Sequence, residues 1–98
     1  MGRNGLFYFL KGDTMKHVVQ LFALSTCAWC KKTHFFLEDD NVDHEIIAID
    51  LLEENDKKNA RETLGKFNPR RSYPTTIIDN NKVVVGYEED QLKEYLDL

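Results

Sequence analysis

Apolar positions fall into two periodicities along this 98-residue chain. The run Val18-Val19-Gln20-Leu21-Phe22-Ala23-Leu24 is almost unbroken and rich in β-branched and aromatic side chains. It predicts a strand over 17–23, buried on both faces. Behind it the spacing changes to three and four. Cys30, Thr33, Phe36 and Leu37 fall on one side of a helical projection, with Lys31, Lys32, Glu38 and Asp39 opposite, predicting a helix over 28–40. Phe35 falls outside this division and is expected against a neighbouring helix. The intervening Leu24-Ser25-Thr26 reads as a turn, with Ser25 or Thr26 as the N-cap.

The pattern then repeats with variations. Residues 44–50 (HEIIAID) predict a second strand, and 53–64 a charged helix with Ala60, Leu64 and Phe67 as its apolar edge and Gly65 as its stop. A loop over 66–73 carries Asn68-Pro69-Arg70-Arg71. Two short apolar runs, 74–79 and 82–86, joined through Asn80-Asn81, predict an antiparallel hairpin. Residues 88–98 predict a closing helix with Leu92, Tyr95 and Leu96 inward. The order β-α-β-α-β-β-α places the first two strands parallel through a helical crossover. The expected architecture is α/β, a four-stranded mixed sheet flanked by three helices.

Composition narrows the class. The length suits one domain. A net charge of −4 with only short basic pairs (Lys31-Lys32, Lys57-Lys58, Arg70-Arg71) argues against a nucleic-acid partner. No apolar run approaches the roughly 20 residues of a membrane span. Two cysteines are too few for a secreted disulfide scaffold, which points to the cytoplasm. Leu6 to Leu10 form an apolar run behind Arg3 that is shorter than a signal-peptide core of roughly 7–15 residues. Residues 1–15 are therefore expected to be an extension preceding the domain at 16–98, with Met15 an alternative start.

The candidate chemistry lies between the first strand and its helix, in Ser25-Thr26-Cys27-Ala28-Trp29-Cys30. The first turn of a helix leaves amide N–H groups unpaired and carries partial positive charge, which favours a thiolate. Cys27 is expected to ionise below the ordinary thiol pKa of about 8.5 and act as nucleophile, with Cys30 one turn on as its resolving partner. Trp29 between them is expected to offer an apolar contact to a partner. The Arg70-Arg71 pair, just before Pro74, is a candidate for holding an anionic group. Zinc requires four ligands where one Cys-x-x-Cys supplies two, so no metal ligand set is assigned. His34 is the nearest histidine beyond the pair and reads as solvated; His17 and His44 read as structural or solvated. Asp50 and Glu53-Glu54 read as acids complementing a helix dipole.

With the Cys27–Cys30 pair after the first strand, Pro74 opening the third and the hairpin–Gly86–helix ending, the chain resembles the glutaredoxin-like proteins of the thioredoxin fold over 16–98. The resemblance implies a cis Tyr73–Pro74 peptide beside the cysteines, with Tyr73 and Pro74 binding an extended substrate. Gly86 and Tyr87 stand where glutathione-binding members carry a Gly-Gly-x-Asp motif, and Leu24 stands where they carry a lysine or arginine. These departures resemble redoxins that draw electrons from a thioredoxin-type reductase. Candidate substrate-binding residues are thus Trp29, Arg71, Tyr73, Pro74, Gly86 and Tyr87. The preferred reading is a monomeric dithiol oxidoreductase acting on protein disulfides, with an electron-donor reductase and no cofactor beyond its own redox-active disulfide. A glutathione-dependent glutaredoxin and a metal or iron–sulfur cluster module are the alternatives.

Overall fold

The computed structural model describes residues 17–98; the expected extension over 1–15 lies outside them. The elements run β1 (Val19–Ala23), α1 (Ala28–Asp39), β2 (Glu45–Ala48), a 3-10 turn (Ile49–Leu51), α2 (Glu54–Phe67), β3 (Thr75–Ile78), β4 (Lys82–Val85) and α3 (Glu89–Leu96). The sheet order is β2-β1-β3-β4. β1 pairs in parallel with β2 (Leu21 opposite Ile46) and antiparallel with β3 (Leu21 opposite Thr76), and β3 pairs antiparallel with β4. This is the mixed four-stranded sheet that the order of elements predicts.

Alternation along the strands divides the core in two. Val19, Leu21, Ala23, Ile78 and Val84 point to one face and pack with Cys30 and Leu37 of α1 and Leu92 and Leu96 of α3. Phe22 and Ile77 point to the other face and pack with Leu64 of α2 and Ile49. Both faces of β1 are therefore covered, which explains its near-continuous apolar sequence. Among the described residues no helix is long and apolar enough to cross a membrane.

Three local expectations are corrected. β2 ends at Ala48, and Ile49–Leu51 coil into a 3-10 turn that buries Ile49 beneath α2. Among the described residues Phe35 packs against no neighbouring helix; it is 59% exposed on the outer side of α1. Gly65 does not stop α2, which continues to Phe67 because Leu64 and Phe67 both pack under the sheet. A glycine inside a helix costs about 1 kcal/mol relative to alanine. Here its missing side chain leaves room for Arg71, whose Nη2 would lie 2.6 Å from a Cβ at this position.

The hairpin turns through Asp79 and Asn80, both left-handed (φ 56° and 58°), a conformation that Asp and Asn tolerate better than most residues. Asp79 also fastens the start of β1: its carboxylate accepts from the Val18 amide at 2.9 Å and from His17 Nδ1 at 2.7 Å. Asp97 meets the other ring nitrogen of His17 at 3.1 Å. The hydrogen bond to Asp79 is the main reason that the His17 pKa is raised above 6.5. The same hydrogen bond leads the causes that hold Asp79 below 3.8.

A raised histidine pKa contributes stability that is complete below 6.5 and is lost as pH rises through the raised value. A lowered carboxyl pKa contributes stability present above 3.8 and lost as pH falls through the lowered value. The melting temperature is therefore expected to decline as pH rises through the His17 titration. Replacing His17 by Gln should remove that part of the pH profile in a thermal melt series.

Candidate active site

β1 ends at Ala23, and the chain must enter α1 within a few residues. Cys27 makes the transition: its backbone is extended (φ −88°, ψ 117°), its amide donates to the Leu24 carbonyl at 3.1 Å, and it is itself the N-cap of α1. Its Sγ accepts a hydrogen bond from the Cys30 amide at 3.2 Å. The cap expected at Ser25 or Thr26 is thus supplied by the cysteine. Ser25 is engaged elsewhere, its amide and hydroxyl both donating to the carboxylate of Asp50. These bonds hold Asp50 below the usual carboxylate range. They also tie the turn before Cys27 to the end of β2. Sequence reading missed this positioning role for Asp50, because contact between residues 25 and 50 exists only once β1 and β2 are paired.

The two sulfurs occupy different environments. Cys27 is half-buried and Cys30 is 3% exposed, both as free thiols. Burial pushes the Cys30 thiol up to about 12, with its hydrogen bond to Cys27 the next cause.

Opposite the cysteines stands the loop before β3. Asn68, the C-cap of α2, is buried and organises it: Nδ2 donates to Ser72 Oγ (3.0 Å) and Thr75 Oγ1 (2.9 Å), while Oδ1 accepts from the Arg70 amide (3.2 Å). The Thr75 hydroxyl donates to the Ser72 carbonyl at 2.7 Å. The loop delivers a cis Tyr73–Pro74 peptide, as the resemblance implied. Pro74 is buried, and its carbonyl accepts from the Gly86 amide at 2.7 Å. Gly86 holds φ +84°, where a side chain would be strained. Among the described residues the backbone N–H and C=O of Tyr73 have no hydrogen-bond partner.

Cys27, Tyr73 and Tyr87 all pack against the core cluster containing Cys30. Trp29 is 56% exposed and stacks on Tyr87 with centroids 6.0 Å apart; Tyr87 meets the edge of Phe36 at 6.3 Å, and Lys32 Nζ lies 5.0 Å from the Trp29 ring centre. The Tyr87 hydroxyl donates to Glu89 at 2.8 Å, which raises its pKa above the ordinary value. Arg71 is turned away from this group. Its backbone is left-handed (φ 52°), and its Nε donates to the Arg61 carbonyl of α2 at 2.9 Å, over Gly65. The guanidinium that the sequence marks as a candidate for the substrate thus has its Nε engaged on α2.

A capping cysteine backed by a buried partner, with the residue before a cis-proline packed on the same core cluster, is a geometry with known relatives. The glutaredoxin family model matches residues 19–84. The chain belongs to the glutaredoxin family. It is 46% identical to Methanosarcina acetivorans methanoredoxin, covering 82% of this chain and 84% of that one, with a TM-score of 0.79. The glutaredoxin from Methanosarcina mazei Go1 is 42% identical over 83% and 79% of the two chains, with a TM-score of 0.80. An uncharacterized glutaredoxin-like 8.6 kDa protein in a rubredoxin operon of Clostridium pasteurianum is 26% identical over 82% of this chain and 99% of its own length. Family membership supports thiol–disulfide oxidoreductase chemistry, in general terms, for the Cys27–Cys30 pair.

The contrast between the two thiols has a direct readout. Brief treatment of the reduced native protein with iodoacetamide at neutral pH should alkylate Cys27 alone, because the Cys30 thiol is buried and stays protonated. Denaturant should expose Cys30 to the same reagent, and peptide mass mapping distinguishes the two outcomes.

Proposed function

We propose that this glutaredoxin reduces protein disulfides as a monomeric cytoplasmic dithiol enzyme, drawing electrons from a thioredoxin-type reductase. The observation that carries the reading is the division of labour between the sulfurs. The accessible one caps a helix and faces an amide donor; the buried one keeps its proton. In the first step Cys27 Sγ attacks one sulfur of a substrate disulfide. A Cys27–substrate disulfide forms, the substrate S–S bond breaks, and the other substrate sulfur leaves as a thiolate. In the second step Cys30 gives up its proton and attacks Cys27 Sγ. The Cys27–Cys30 bond forms, the mixed disulfide breaks, and the substrate leaves with the electron pair. Two protons end on the released substrate thiols, and the donor reductase supplies the two electrons that restore the dithiol.

Cys30 is acidified by the first step itself. Its pKa is raised by burial first, then by the hydrogen bond to Cys27 and by the Cys27 charge. Once Cys27 Sγ is in a mixed disulfide it has no charge, so the two causes that come from Cys27 vanish, while burial and the nearby Asp50 charge remain. The resolving thiol becomes easier to ionise only when there is something to resolve.

Docking follows from the exposed groups. The unpaired backbone of Tyr73 suits an extended peptide added alongside the loop, and the Trp29–Tyr87 stack offers an apolar surface beside Cys27. Support for a donor other than glutathione comes from the same positions. Leu24 and Ser25 precede the cysteines where a basic side chain would serve the tripeptide, and Tyr87 follows the single Gly86.

An insulin-reduction assay with two parallel donors, thioredoxin reductase with NADPH and glutathione with its reductase, tests the reading. Turnover should appear with the first donor, and turnover supported by glutathione alone would overturn the donor assignment. Cys27→Ser should reduce activity to background, whereas Cys30→Ser should accumulate a mixed disulfide visible in a non-reducing mass spectrum. Trp29→Ala should raise KM for a protein disulfide about tenfold, with little effect on kcat or on a small-molecule disulfide.

A further inference from the structure

At the far end of α1 from the cysteines, three side chains converge that the thiol chemistry does not use. His34 and Glu38 are one turn apart on α1 and so share a face. The helix closes with the Asp40 amide donating to the Glu38 and Phe36 carbonyls, a left-handed Asn41 (φ 57°) and the Val42 amide on the Leu37 carbonyl at 2.8 Å. This reversal folds His44 back against the helix. One ligating atom each from His34, Glu38 and His44 lie within 4.8 Å of one another, and His34 Nδ1 is 2.9 Å from His44 Nε2.

We propose that His34, Glu38 and His44 bind a divalent transition-metal ion, with zinc the best match to the donor set. His44 is already oriented for it. Its Nδ1 lies 2.8 Å from the Val42 carbonyl oxygen. A carbonyl can only accept, so Nδ1 carries a proton, and in the neutral ring Nε2 is then the nitrogen with the lone pair. A metal-ligating histidine is commonly held in this way by a hydrogen bond from its other nitrogen. The two facing nitrogens are also near the required span. Two nitrogens bound to tetrahedral zinc at 2.0–2.1 Å are about 3.3 Å apart, so they need part by only about 0.4 Å from the 2.9 Å observed. On binding, the His34 proton shifts from Nδ1 to Nε2 by exchange with solvent, so the ring stays neutral and its Nδ1 lone pair meets the ion; the Glu38 carboxylate supplies the third ligand and water completes the shell. Both histidines are half-buried and Glu38 is exposed, which leaves the ion a route of entry from solvent.

The site is separate from the thiols. Its helical ligands lie seven and eleven residues beyond Cys27, roughly 10 and 16 Å along the axis. Occupancy would clasp the end of α1 to the approach to β2 and stabilise the folded chain in proportion to free metal.

The test uses the disulfide form of the full chain, so that the cysteines do not compete for the ion. Zinc chloride titrated by calorimetry should bind one ion per chain, and the melting temperature should rise with zinc concentration. His34→Ala, His44→Ala and Glu38→Gln should each weaken binding at least tenfold, while disulfide-reductase activity stays at the wild-type level. The exposed Glu38→Gln change decides the matter should either histidine variant fail to fold. No zinc uptake by the oxidised protein, or uptake unaltered in Glu38→Gln and in every folded histidine variant, would overturn the proposal and leave the His34–His44 contact as a ring-to-ring hydrogen bond alone.

Discussion

Everything chemical in this molecule depends on a cramped passage of chain. The backbone leaves a strand buried on both faces at Ala23 and is helical again by Ala28. A helix so close behind a strand must start with orphan amides near the end of the sheet, and something has to meet them. Ordinarily a hydroxyl or carboxylate does so. Here the Ser25 hydroxyl is engaged by Asp50, and the amide of Cys30 turns to the sulfur of Cys27. The nucleophile and the stabilisation of the helix end are therefore one contact. A sulfur that satisfies a backbone donor is held in one rotamer, aimed along the helix toward its partner.

The second thiol acquires its character from a different source. Cys30 occupies a core position among Val19, Leu21, Leu37 and Leu92, and it is the packing of those residues that excludes water from it. A reactive and an inert cysteine thus arise three residues apart, because one lies at the mouth of the helix and the other on its buried stripe. In the proposed mechanism this contrast sets the order of the two steps: the sulfur reached by solvent reacts before the one that is not.

Much of this was legible from the chain. The two-faced burial of β1, the helical stripe of Cys30, Thr33 and Leu37, and the hairpin around Asn80 are local patterns, and each appears where periodicity places it. What was not legible depends on pairs far apart in sequence. Gly65 reads as a helix stop until Arg71 is seen occupying the space beside it. Ser25 reads as a cap until β2 brings Asp50 alongside. His34 reads as solvated until the turn after α1 reverses the chain and returns His44 to it. Phe35 differs for the opposite reason: an aromatic suggests a packing neighbour, and the described residues place no helix against it at that point of α1. Propensity reports what a residue prefers; it is silent on which distant group arrives first.

The resting place of Arg71 bears on how the two faces of the sheet communicate. α1 and α3 cover one side and α2 the other. The segment leading to Tyr73 starts from a buried Asn68 at the end of α2 and is pinned midway to the Arg61 carbonyl. The segment that ends at Tyr73 is thus suspended from the helix behind the sheet, not from the one that carries the thiols. Both of its anchor points, the Asn68 amide and the Arg61 carbonyl, therefore lie on α2 or its C-cap, remote in sequence from either sulfur.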